Sequence, residues 1–194
     1  GNLYVTDDYA NMISQFDLEG NFIQRWGTGG SNLGELNGPS GIALGIDSYI
    51  YVSDTKNHRI QIFTLSGDIV SAIGSQGEEE GNFHLPWGVD VGSDGKVSVA
   101  DWGNNRIQRF DSNGEHVETI SAVGTSKNQL NHPSSIAVDS RGNRYIADWG
   151  NETVKVLNSS SELIQEMKGQ ATLSKWASAF LENCLISTSE DADE

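Results

Sequence analysis

The sequence is short of cysteine, of proline and of positive charge, and it has no long apolar run. Its single cysteine, Cys184, permits no internal disulfide and gives no indication of compartment. Its 12 basic residues face 27 acidic ones, for a formal charge of −15. That balance argues against nucleic acid, whose binding rests on neutralising phosphates with Lys and Arg. It equally disfavours an anionic membrane surface. The longest apolar runs are a few residues, too short for a transmembrane helix. No stretch reads as a signal peptide, and the chain opens on Gly1. The 194 residues suffice for one sizeable core.

What is present is periodicity. Asp7, Asp54, Asp101 and Asp148 are spaced by 47 residues, and so are Pro39, Pro86 and Pro133. Asn57, Asn104 and Asn151 keep the same step, as do Phe16, Phe63, Phe110 and Leu157. No insertion or deletion interrupts the period between residue 2 and about residue 167. Each unit holds four short apolar stretches. In one unit these are Gly88 to Val91, Lys96 to Ala100, Arg106 to Phe110 and His116 to Ile120. Between them stand Ser-Asp-Gly, Asp-Trp-Gly-Asn-Asn and Asp-Ser-Asn-Gly, which are turn compositions because Gly, Asp and Asn tolerate positive φ. β-branched residues such as Ile60, Ile62, Val97 and Val99 fill the stretches. Four strands per unit, apolar on both faces, predict an antiparallel meander covered on both sides by its neighbours. That pattern predicts an all-β chain, a β-propeller of four-stranded antiparallel blades.

Pro-Ser-Gly-Ile-Ala-Leu at 39–44, followed by Ile-Tyr-Val-Ser-Asp-Thr-Lys-Asn-His-Arg-Ile-Gln-Ile-Phe at 50–63, resembles an NHL repeat. The triplet that names the family stands here as Asn57-His58-Arg59, then as Asn104-Asn105-Arg106 and Asn151-Glu152-Thr153. The resemblance implies a propeller, six-bladed in most members, with the strand after each proline lining a central channel. Six units of 47 residues exceed the 194 present, so about four blades are expected in one domain over 1–189. They divide into a partial unit at 1–38 and further units at 39–85, 86–132 and 133–170. The chain opens inside a blade, at its second strand, Asn2 to Thr6.

After Met167 the period breaks. Leu173, Trp176, Ala177, Phe180 and Leu181 recur at helical spacing and predict a short C-terminal helix over 172–183. An acidic tail at 190–194 follows. If Cys184 to Ser187 pairs beside Asn2 to Thr6, the ring closes at four. Otherwise the chain is a piece of a larger propeller that self-associates through open blade edges, which is the reading favoured here.

The four aspartates suggest a ring of metal ligands, but one Asp per repeat is better read as an Asx-turn device. Calcium needs six or more converging oxygens. Arg59 and Arg106 follow on the same turns and suit either a polar rim or blade-to-blade hydrogen bonds. Trp87, just after Pro86, and Trp102 and Trp149, just after the aspartates, are candidate anchors on one face. The alternative is that each indole caps a gap between blades. Asp90 stands where Ala43 and Ala137 stand, on a channel strand, as a candidate ligand contact or a carboxylate solvated in a wet channel. His58, His84, His116 and His132 lack metal-ligand spacing. A peptide-amidating lyase related to this family holds zinc by histidines just after the inner-strand proline. Here those positions are Ser40, Trp87 and Ser134, and no cofactor is expected.

The sequence therefore predicts a non-catalytic platform for a protein, peptide or glycan. It binds through Trp87, Trp102 and Trp149, with Arg59, Arg106 and Asp90 as polar contacts. The alternative is a metal-dependent lactonase- or lyase-type enzyme at the channel.

Overall fold

The computed structural model describes residues 1–121 and 129–168. The predicted helix 172–183, the strand 184–187 and the acidic tail lie outside the described residues. Fifteen strands follow in chain order: β1 Leu3–Asp7, β2 Met12–Phe16, β3 Phe22–Trp26, β4 Pro39–Leu44, β5 Tyr49–Asp54, β6 Arg59–Thr64, β7 Ile69–Ile73, β8 Pro86–Val91, β9 Val97–Asp101, β10 Arg106–Phe110, β11 His116–Ile120, β12 Pro133–Val138, β13 Arg144–Asp148, β14 Thr153–Leu157 and β15 Leu163–Lys168. They form one three-stranded sheet, β1 to β3, and three four-stranded meanders, β4 to β7, β8 to β11 and β12 to β15. Each is a propeller blade, and the inner strands β4, β8 and β12 lie side by side. The second strands β1, β5 and β9 also pack against the inner strand of the next blade. The first sheet begins at a second strand, as the repeat predicts.

Strand alternation sends side chains to two different interfaces. From β5, Ile50 and Val52 join Ile13, Leu36 and Phe63 between the first two blades. Tyr51, on the opposite face, joins Ile60, Val97, Val99 and Phe110 between the second and third. Ala100, Ile107, Ile136, Ile146 and Leu157 fill the next interface. Trp26 packs on Tyr4 and Phe63, with ring centroids 6.1 and 6.5 Å away. The hairpin glycines Gly20, Gly67 and Gly114 take φ of 84°, 91° and 82°, as their turns require. The fourth copy of that position is Ser161, at φ 64°.

One interface departs from the apolar rule. Arg144 replaces the valine and isoleucine that stand at Val97 and Ile50, and it is 1% exposed. Arg109 stands where Ile62 stands one repeat earlier. Glu118 lies between the two arginines, 2.9 Å from Arg109 Nη1 and 3.0 Å from Arg144 Nη1. The Ser161 hydroxyl also donates to Glu118, and Arg144 Nη2 donates to the Asn158 carbonyl at 2.7 Å. An aliphatic contact between blades two and three is thus an ionic one between blades three and four.

Candidate functional site

The turns after β5, β9 and β13, and the starts of β4, β8 and β12, share one end of the blades. Register fixes this, because Pro39 pairs with Asp54, Pro86 with Asp101 and Pro133 with Asp148. Each turn is a single 3-10 turn, closed by a residue in the left-handed region: His58, Asn105 or Glu152, at φ of 55°, 55° and 53°.

The aspartates hold these turns to the loop that enters the blade. Asp7, on the first sheet, is exposed and makes the expected Asx turn, accepting from the Tyr9 and Ala10 amides at 3.1 and 2.8 Å. The other three are fully buried and do something the local sequence did not reveal. Asp54 accepts from the Asn37 amide at 2.7 Å and from Asn57, Arg59 and Gln61 side chains at 2.9, 2.8 and 3.0 Å. Asp101 repeats the set with the His84 amide, Asn104, Arg106 and Gln108. Arg59 also donates to the Asn32 and Glu35 carbonyls, and Arg106 to those of Glu79 and Asn82. Both arginines thereby tie strand, turn and loop together. In the last blade the arginine position is Thr153, and the cation returns two residues later: Lys155 donates to Asp148 and is 2% exposed. The carboxylates stay paired with a positive charge because an unpaired one in the core is costly.

The three tryptophans lie at this end. Trp87 and Trp102 stack with ring centroids 5.2 Å apart and planes 20° apart. Trp102 also meets the His132 ring of the next blade at 4.3 Å. Trp102 therefore does cap an interblade gap, and its buried indole nitrogen has no hydrogen-bond partner among the described residues. Trp87 remains 38% exposed and Trp149 64% exposed. Trp149 follows Asp148 as Trp102 follows Asp101, but the residue in the place of Trp87 is Ser134, so it lacks the stacking partner that Trp102 has.

Asp90 differs from the solvated carboxylate expected of a wet channel. It accepts from the Val138 amide of the next blade at 2.6 Å and from the Val91 amide at 2.9 Å. Burial raises its pKa against the pull of those two bonds. Asp90 therefore joins inner strands β8 and β12. Among the described residues no three His, Cys, Asp or Glu side chains gather where they could hold a metal ion.

Three of the four histidines, His58, His84 and His132, dismissed for their spacing, have interblade roles. His58 Nδ1 accepts from the Leu85 amide at 3.1 Å, a latch from blade two to blade three. Asn11 and Asn105 make the same latch to Gly38 and His132 amides, at 2.7 and 2.8 Å. The signal was available, since residues 11, 58 and 105 share one repeat position. The His58 ring stacks on His84 at 5.6 Å. Burial first, and His84 second, lower the His58 pKa, while Asp101 opposes them. The folded state thus binds the proton less tightly than the unfolded chain, so stability is complete above the ordinary value of 6.5 and declines as pH falls below it. His58→Asn, carrying the latch residue of the flanking repeats, is expected to flatten that decline. Thermal melts of both proteins between neutral and mildly acidic pH measure it. Equal slopes would refute it.

The NHL repeat family model matches residues 36–63 and 83–110. No curated protein matches the chain. Among solved structures, selenomethionine-substituted virginiamycin B lyase from Staphylococcus aureus is 22% identical, with a TM-score of 0.62, over 88% of this chain and 53% of that one. A streptogramin B lyase is 16% identical, with a TM-score of 0.66, over 89% of this chain and 52% of that one. Kuenenia stuttgartiensis hydrazine synthase is 15% identical, with a TM-score of 0.62, over 85% of this chain and 45% of that one. These likenesses are of fold. The chain spans about half the length of the solved structures it matches.

Proposed function

Because the chain carries NHL repeats folded as successive propeller blades, we propose that it is a binding platform for a protein, peptide or glycan. The ligand meets the end of the blades that carries Trp87, Trp102 and Trp149. The observation behind this reading is the pair of exposed indoles, Trp87 and Trp149, on two adjacent blades whose inner strands are locked together by Asp90. Large aromatic side chains on a rigid support supply contact area at little entropic cost. Arg59 and Arg106 are engaged by Asp54 and Asp101 and by carbonyls of the loop that enters each blade, so they contribute chiefly by fixing the loops that frame the surface.

Trp87→Ala and Trp149→Ala are expected to weaken binding by about 10- to 100-fold each, as truncation of a central aromatic anchor does. A peptide and glycan array probed with the wild-type chain supplies the ligand, and titration calorimetry on the variants reads the loss. Unchanged affinity in both variants, at unchanged melting temperature, would sink the proposal.

A second reading follows from the lyase names among the similar structures: a metal-dependent enzyme at the channel mouth near Asp90. It predicts metal-dependent turnover of a lactone or cyclic ester that Asp90→Asn abolishes. The binding reading predicts none, and a chelator assay on purified protein separates the two.

A further inference from the structure

The tripeptide Asn-x-Ser/Thr, the acceptor motif for N-linked glycans, occurs twice in the chain, as Asn151-Glu152-Thr153 and Asn158-Ser159-Ser160. The fold uses the two asparagines differently. Asn151 lies in the turn after β13 and commits both amide hydrogens, to the Gln129 carbonyl at 2.8 Å and to Asp148 Oδ2 at 2.7 Å. Asn104 and Asn57, one and two repeats earlier, make the same pair of bonds, so this amide belongs to the framework of the blade. Thr153, which supplies the hydroxyl of that motif, is 8% exposed. Asn158 instead opens the hairpin between β14 and β15. Its Oδ1 accepts from the Ser160 and Glu162 amides at 3.0 and 2.9 Å, which folds Ser160 back beside the carboxamide. Asp111 makes the same turn one repeat earlier, accepting from the Asn113 and Glu115 amides at 2.9 Å each. A carboxylate therefore serves this turn, and the nitrogen of Asn158 is not needed for it. Among the described residues that nitrogen meets only Glu162 Oε2, at 2.8 Å on the surface. Ser159 and Ser160 are exposed. So are Leu65, Ser66, Ser112 and Asn113 at the same tip of blades two and three, which have neighbours on both sides, so the exposure is a property of the blade.

We propose that Asn158 is an N-glycosylation site and that Asn151 is not. The modification requires passage through a secretory compartment. In the transfer, Asn158 Nδ2 bonds to the anomeric carbon of an oligosaccharide carried on a lipid pyrophosphate. The bond from that carbon to the phosphate oxygen breaks, the lipid pyrophosphate leaves with the electron pair, and the nitrogen gives one proton to a base of the transferase. Oδ1 is untouched, so both turn bonds of Asn158 survive, and the bulky polar glycan stays in water at the hairpin tip. The same transfer to Asn151 removes a hydrogen that the folded blade uses and strips a donor from buried Asp148 or from the Gln129 carbonyl. The hairpin lies at the other end of the blade from Trp149, since Thr153 pairs with Asp148 and Leu157 with Arg144. A glycan at Asn158 therefore leaves the tryptophan end clear, and the inference does not rest on the binding role proposed for that end.

The test is production of the full chain behind a cleavable leader in a eukaryotic secretory pathway. Intact mass before and after a peptide N-glycosidase counts the glycans, and the aspartate that the enzyme leaves locates them by peptide mass spectrometry. One glycan, at Asn158, is expected. Asn158→Asp, which installs the residue of the preceding blade, and Ser160→Ala are each expected to abolish it. Both variants should melt at the temperature of deglycosylated wild type. Asn151→Gln is expected to keep the glycan and to melt lower. An unmodified chain, whether secreted or retained in the cell, would overturn the proposal. So would a glycan on Asn151 in folded protein, or Ser160→Ala modified as fully as wild type.

Discussion

Asp101→Ala is expected to cost about 3–5 kcal/mol of folding stability, the usual loss when one partner of a buried ion pair is removed. Arg106, 8% exposed, keeps its charge but loses the carboxylate 2.7 Å from its Nε. Gln108, Asn104 and the His84 amide lose an acceptor at the same time. Asp7→Ala is the internal control. It breaks an exposed Asx turn and is expected to cost on the order of 1 kcal/mol. Chemical denaturation of the two variants beside wild type measures the difference. Equal losses would show that Asp101 acts as a local turn residue, like Asp7, and not as the post that anchors the loop before β8.

The second large effect concerns the ionic contact between blades three and four. Glu118→Ser places at this position the residue that Ser71 supplies one repeat earlier, and it leaves Arg109 and Arg144 facing each other without their shared carboxylate. A loss of about 3–5 kcal/mol is expected. The triple variant Arg109→Ile, Glu118→Ser and Arg144→Val copies the apolar contact of the preceding repeat, with Ile62, Ser71 and Val97. It is expected to recover the loss, because well-packed apolar groups replace buried ion clusters at little or no cost. Acid titration of wild type supplies an independent reading. Burial pushes the Glu118 pKa up, but the bonds from Ser161 and Arg109 and the charge of Arg144 prevail and lower it. Its contribution is complete above the ordinary carboxylate range and is lost as pH falls through the lowered value. The triple variant should lack this component of the acid response. A triple variant no more stable than Glu118→Ser would refute the account.

The 47-residue period alone determined the blade plan, because every unit must place the same side chains in the same two interfaces to bury its strands. Strand order and the partial first blade follow from that requirement, whereas the inner position of the Pro39, Pro86 and Pro133 strands was implied by the resemblance to NHL repeats. The period also fixed which residues share one end of the blades, and so which tryptophans lie together. Tertiary structure decided what each repeated residue does. Asp54, Asp101 and Asp148 look like local turn residues in sequence, yet each is buried. The reason is a loop 17 residues upstream whose amide reaches each carboxylate across the blade. Asp90 binding the Val138 amide and Arg144 meeting Glu118 are likewise contacts between elements far apart in sequence, and Lys155 replaces the missing arginine across the adjacent strands β13 and β14. A spacing records that two residues are equivalent. The neighbour opposite each one decides whether it is a turn, a post or an exposed anchor.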